Sequence, residues 1–125
     1  MMSLKFITPL FLFILLFTHC ANDDMPEEAV EIRLSNVSQF DYKNITVNST
    51  NFEDLEAGKT STYKTFDLAY RYGFVELEID GATYTIQPID YVGETPLKKG
   101  KYTYQIDAND SMEQYGKLIL IFVED

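Results

Sequence analysis

Val75-Glu76-Leu77-Glu78-Ile79-Asp80-Gly81-Ala82-Thr83-Tyr84-Thr85-Ile86 is the stretch that decides the fold. Apolar and polar residues alternate on both sides of Asp80-Gly81, the period of a strand with one face buried. Asp-Gly is a preferred two-residue hairpin loop because both positions need positive φ. Pairing through it sets Ile79 opposite Ala82, Leu77 opposite Tyr84 and Val75 opposite Ile86, leaving Glu76, Glu78, Thr83 and Thr85 on the other face. A slip of one residue would break all three apolar pairs.

The same period extends in both directions. Upstream, Val30, Ile32 and Leu34 alternate with Glu31, Arg33 and Ser35. A second strand carries Phe40 and Tyr42, then Ile45 and Val47, and the one-residue slip near Lys43 and Asn44 predicts a β-bulge. A loop with Phe52, Leu55 and Gly58 follows, with room for one helical turn over residues 53–57, and then a strand over residues 60–70 whose inward face would be Phe66, Leu68 and Tyr70. Downstream, Tyr102, Tyr104 and Ile106 mark another strand. The continuous apolar run Leu118-Ile119-Leu120-Ile121-Phe122-Val123 predicts a last one, covered on both faces or central to its sheet; against this stands an exposed edge that would aggregate or pair with another chain. The expectation is an all-β fold: a single seven-stranded antiparallel β-sandwich over residues 29–125. The spacing of its strands and turns resembles an immunoglobulin-like or transthyretin-like sandwich. Leu97-Lys98-Lys99-Gly100-Lys101-Tyr102-Thr103-Tyr104 resembles the turn and strand that bear the tyrosine corner of fibronectin-type domains, with Lys99 where proline is usual.

The first 19 residues have a different character. Lys5 precedes an apolar run from Phe6 to Phe17, broken only by Thr8 and Pro9. That is the anatomy of an export signal, and about a dozen residues are too few to cross a bilayer as a helix. Phe17-Thr18-His19-Cys20 resembles the lipobox of bacterial lipoproteins, although His19 and Phe17 replace the small residue and the leucine usual there. The resemblance implies cleavage of residues 1–19 and acylation of Cys20, and two or three acyl chains make membrane residence effectively permanent. Residues 20–28 read as the lipidated cysteine followed by an acidic tether. Asp23 and Asp24 within it resemble the signal that sends Bacteroidota lipoproteins to the outer face of the outer membrane.

Charge and residue inventory narrow the chemistry. The formal charge is −10. Removing residues 1–19 leaves nine basic residues against twenty acidic ones, which repels phosphate backbones and makes nucleic acid a poor partner. The sole cysteine, Cys20, would carry lipid and the sole histidine, His19, would leave with the leader, so no nucleophile-histidine pair or histidine-based zinc site is expected. No glycine-rich phosphate loop is present. The expectation is a non-catalytic protein without cofactor or metal, its one covalent group being the lipid on Cys20.

Weaker signals remain. Asp107-Ala108-Asn109-Asp110-Ser111-Met112-Glu113 starts like a calcium loop, but it lacks the sixth-position glycine and has Leu118 where the bidentate glutamate belongs. A polar hairpin loop is the better reading. Asp110-Ser111-Met112 also resembles the short O-glycosylation acceptor of Bacteroidota, and Asn36, Asn44 and Asn48 open N-glycosylation patterns. Tyr63, Tyr72 and Tyr115 form the candidate binding surface, since tyrosine offers a flat apolar face with a polar tip. Two function classes follow: an envelope-displayed module that binds a protein or glycan, and a structural subunit of a larger assembly with no small ligand. A tyrosine cluster would favour the first, an apolar edge at residues 118–123 the second.

Overall fold

The computed structural model describes residues 29–88 and 93–125. Eight strands follow one another: β1 (Val30–Asn36), β2 (Lys43–Val47), β3 (Thr50–Asn51), β4 (Lys64–Phe66), β5 (Val75–Ile79), β6 (Ala82–Ile86), β7 (Gly100–Ala108) and β8 (Leu118–Glu124). No helix occurs among the described residues. The strands form two four-stranded sheets, β4-β1-β7-β8 and β3-β2-β5-β6. The buried faces of both contribute to one apolar cluster.

The central hairpin has the expected register, with Val75 opposite Ile86, Leu77 opposite Tyr84 and Ile79 opposite Ala82. Asp80 and Gly81 take φ of 52° and 85°, the conformation that matches the twist of the flanking strands. The bulge in β2 is also present: its register against β5 shifts between Lys43 and Thr46, and Asn44 has φ of 51°. The extra residue returns Tyr42, Ile45 and Val47 to the buried side. β1 alternates strictly between buried and half-buried residues.

Several expectations are corrected. Among the described residues there are eight strands, and the sheets are not wholly antiparallel, because β1 runs parallel to β7 from Val30 opposite Gly100 to Asn36 opposite Ile106. β3 exists because Asn48 and Ser49, both at positive φ, close a two-residue turn from Val47 to Thr50 without glycine. The strand expected over residues 60–70 shrinks to β4. Phe66 is buried, Leu68 is 57% exposed and Tyr70 is half-buried, since the chain leaves β1 after Phe66 and Ala69 becomes the next inward residue. Residues 53–57 form no helical turn. Leu55 instead exchanges two backbone hydrogen bonds with Tyr42, of 2.9 and 3.0 Å, and the chain turns at Gly58. β8 is an edge strand, covered on one face only.

Tyrosines fill much of the core, and three of them donate their hydroxyls to backbone carbonyls. Tyr42 donates to the Ile106 carbonyl at 2.9 Å and Tyr104 to the Tyr70 carbonyl at 2.6 Å. Tyr102 donates to the Lys98 carbonyl at 2.6 Å. That last contact, from the start of a strand back to backbone four residues upstream, is the bond a tyrosine corner makes.

Candidate interaction surface

The three candidate tyrosines do not converge. Tyr63 lies on the outer face of the β4-β1-β7-β8 sheet, where its hydroxyl donates to the Asp125 carboxylate at 2.7 Å. The Arg33 guanidinium and the Lys101 ammonium lie 4.9 and 5.1 Å from its ring centre. Thr103 donates to the same Asp125 oxygen at 2.7 Å, and Arg33 lies 3.7 Å from it. Burial raises the Asp125 pKa, but the hydrogen bonds from Thr103 and Tyr63, with the charges of Arg33 and Lys101, outweigh it and hold the carboxyl below its ordinary value. The Tyr63 phenol moves the opposite way, raised chiefly by its hydrogen bond to Asp125. Tyr115, 63% exposed, sits beyond the far end of β7, on the order of 20 Å away by strand rise. Tyr72 follows Arg71, whose guanidinium stacks over Phe122 at 5.5 Å on the inner side of that sheet. A sheet therefore separates Tyr63 from the Arg71 contact, and a strand length separates it from Tyr115.

The oxygen-rich loop after β7 is organised by a cation of the protein's own. Lys117 is only 4% exposed. Its ammonium donates to the carbonyls of Asn109 and Ser111 at 2.7 and 3.0 Å, and it lies 4.7 Å from the Phe40 ring centre and 5.3 Å from that of Tyr84. The backbone carbonyls of Asn109 and Ser111 thus face Lys117, while the side-chain oxygens of the same two residues accept from the amides of Ser111 and Glu113. The Gln114 carbonyl in turn accepts a 2.8 Å bond from the Thr85 amide, so the loop caps the outer edge of β6 at Thr85. Among the described residues, no group of three or more acidic, histidine or cysteine side chains is placed to hold a metal.

Of the four sheet edges among the described residues, β3 and β4 are two and three residues long and β6 is capped by the loop at Thr85. β8 is seven residues long and, among the described residues, pairs only with β7. Asn109 donates to the Lys117 carbonyl and Asp125 to the Lys101 carbonyl, which fixes the alternation of the ladder. The backbone amides and carbonyls of Leu118, Leu120, Phe122 and Glu124 therefore point to the open side. On the outer face Ile119 and Ile121 are 46% and 45% exposed, and no charged residue interrupts residues 118–123. Natural edges are usually blunted by lysine, proline or a bulge, and this one carries none of them.

A second surface lies at the β7 entry turn, beside the Glu124 end of β8. Arg71, Lys98, Lys99 and Glu124 are among the residues lining a depression of about 450 Å³ beside Tyr102. A neighbouring one of about 660 Å³ is lined by Val30, Asp67, Leu97, Lys98 and Lys99.

The glycosylation patterns are separated by burial. Asn36 is 1% exposed, and its amide donates to the carbonyls of Phe40 and Leu55 while its oxygen accepts from Ser38, so it serves as an internal brace. The Asn48 side chain accepts the Phe74 amide at 3.0 Å. Asn44 is exposed, and Ser111, the hydroxyl residue of the O-glycosylation pattern, is half-buried. Cys20, Asp23 and Asp24 lie outside the described residues. Among the described residues no helix is long and apolar enough to cross a membrane. No protein family matches the chain and no curated protein is detectably similar to it.

Proposed function

We propose that the chain is a lipid-anchored, non-catalytic subunit of the bacterial cell envelope that engages another protein by strand addition along β8. The observation that carries the interaction half is the β8 edge, hydrogen-bonded to β7 alone among the described residues although β6 of the other sheet lies alongside it, with backbone groups turned outward and Ile119 and Ile121 exposed. An open row of amides and carbonyls selects an extended polypeptide, and apolar residues at alternate positions select its side chains. The net charge of −10 opposes association of two copies and favours a different partner. The dispersal of Tyr63, Tyr72 and Tyr115 argues for assembly over glycan binding.

The anchoring half rests on the leader and on the lipobox-like Phe17-Thr18-His19-Cys20. Asp23 and Asp24 support placement on the outer membrane facing outward. The domain itself reads as an immunoglobulin-like or transthyretin-like sandwich, supported by the two sheets on one core and the Tyr102 contact to Lys98. Such a domain is a scaffold, and its role lies in the surface it presents.

The test is site-specific photocrosslinking in the native envelope. A crosslinker at Ile119 or Ile121 should yield one discrete adduct with another protein, and one at Thr83, exposed on β6, should not. Equal labelling at all three positions, or none at β8, would refute strand addition.

A further inference from the structure

We infer that the segment β8 receives is an extended strand of another protein with a cationic end: apolar side chains at alternate positions beside Ile119, Ile121 and Val123, small ones between them, and a lysine or arginine at the end next to Leu118. This deepens the strand-addition reading and rests on it. The shape of the edge sets the alternation, and the charge around it sets the cationic end.

Leu118, Leu120 and Phe122 turn towards the core, so Ile119, Ile121 and Val123 form an uncharged stripe on the outer face, opposite Asp107, Gln105 and Thr103 of β7. A strand bonded to the open amides and carbonyls of Leu118, Leu120 and Phe122 sets every second side chain beside this stripe, where apolar and β-branched residues make favourable cross-strand pairs. Its remaining side chains turn inward, towards β6. Cα atoms of β6 come within 8 Å of those of β8, closer than the roughly 10 Å between facing sheets. The inward positions of an added strand therefore take small residues beside β6.

Charge is uneven along this edge. Asp107 stands opposite Ile119, and Asp110 and Glu113 precede β8 in the loop, exposed and, among the described residues, without an ion pair. The Glu113 carboxylate lies against Gly116, two residues before Leu118. The Tyr42 bond to the Ile106 carbonyl brings their neighbours Asp41 and Asp107 to the same end, and Asp41 shares a depression of about 300 Å³ with Lys43, Glu78 and Asp80. Against these carboxylates stand Lys43 and Lys117, and the Lys117 ammonium is already held by two carbonyls. At the other end of β8 the carboxylates stand among cations: Asp125 beside Arg33, and Glu124 in one depression with Arg71, Lys98 and Lys99. The field along the edge is thus negative at the Leu118 end. A residue added opposite Ile119 lies about 10 Å from Asp107, two strand spacings away and comparable with the Debye length. A cation there is attracted, and an acidic residue is repelled. A second copy of β8 does not fit this pattern, since residues 118–125 contain no lysine or arginine.

The test uses the full chain in its native envelope with the photocrosslinker at Ile119, and reads both the adduct yield and, by mass spectrometry, the partner sequence around the attachment point. D110N/E113Q removes two exposed charges beside Leu118 and should lower the yield by about fivefold. E53Q/E56Q removes the same charge between β3 and β4, the sheet edges away from β8, and should leave the yield unchanged. The partner sequence should alternate apolar with small residues and carry lysine or arginine near the attachment point. An adduct whose yield ignores D110N/E113Q, an equal loss in both variants, an acidic partner sequence at Ile119, or an adduct between two copies of this chain would overturn the inference while leaving β8 as a pairing edge. Absence of any adduct from the parent chain would overturn strand addition itself, and this inference with it.

Discussion

Replacing Lys117 by methionine tests whether a buried ammonium holds the loop after β7 in place. Methionine keeps an unbranched stem of similar length and removes the charge. What is lost is two charge-assisted hydrogen bonds, of 2.7 and 3.0 Å, and the approach to the Phe40 and Tyr84 rings. Hydrogen bonds of charged groups contribute about 1.5 to 3 kcal/mol each, and a cation over an aromatic face about 0.5 to 2. Against these stands the desolvation of the ammonium of a residue that is 4% exposed, several kcal/mol in its own right and relieved by the substitution. The Asn109 carbonyl belongs to an exposed residue and can turn to water, which lowers the penalty for leaving it. The balance is a loss of about 2 kcal/mol, equivalent in urea to a midpoint drop of roughly 1 to 2 M with unchanged slope. The loss should be local in origin: the Thr85 amide, bonded to Gln114 in the same loop, should exchange hydrogen faster than amides of β1 and β7. A Lys117→Met protein as stable as the parent, with Thr85 protection intact, would show that the cation contributes nothing net and that apolar packing alone closes the loop.

Further outcomes follow from single contacts. Tyr102→Phe removes the 2.6 Å bond to the Lys98 carbonyl and should cost about 1 to 1.5 kcal/mol by urea denaturation; no change would mean that the corner is held by the ring alone. Gly81→Ala meets no atom within 4 Å but places a Cβ at φ of +85°, so a loss of about 1 kcal/mol is expected from backbone strain only. Asp80→Gly at the neighbouring position should be close to neutral. Burial pushes the Tyr42 phenol up to about 12, with a bond to Ser38 opposing and Asp107 adding to the rise. A raised phenol pKa means that the fold favours the neutral form. That stability is complete below the ordinary value of 10 and is lost as pH rises from 10 towards 12. Tyr42→Phe should flatten alkaline unfolding in this window, and an unaltered pH profile would assign the transition to other tyrosines.

The parts of the fold legible in the sequence are those governed by local rules. Residues 75–86 carry a strict period of two around Asp-Gly, so strand, turn and register are all specified within twelve residues. The slip at Lys43 and Asn44 marks the bulge for the same reason. The parallel contact of β1 with β7 is between residues some 70 positions apart and leaves no local trace. The apolar run at residues 118–123 is compatible with a central strand and with an edge, and only the sheet order decides between them. Asn48-Ser49 makes a positive-φ turn without glycine, which hides β3 from a search for turn residues. Lys117 is hidden differently: lysine is exposed by default, and its burial depends on Phe40 and Tyr84 arriving from elsewhere in the chain. Tyr63 was identifiable as a candidate by residue type, but its partner Asp125 is 62 residues away.

Anchoring through Cys20 underlies the proposed envelope assignment, and metabolic labelling with palmitate tests it most directly. The wild-type chain should incorporate label and sediment with membranes, whereas Cys20→Ala should do neither through an acyl group. Unlabelled wild-type protein, or membrane residence and labelling unchanged in Cys20→Ala, would contradict it.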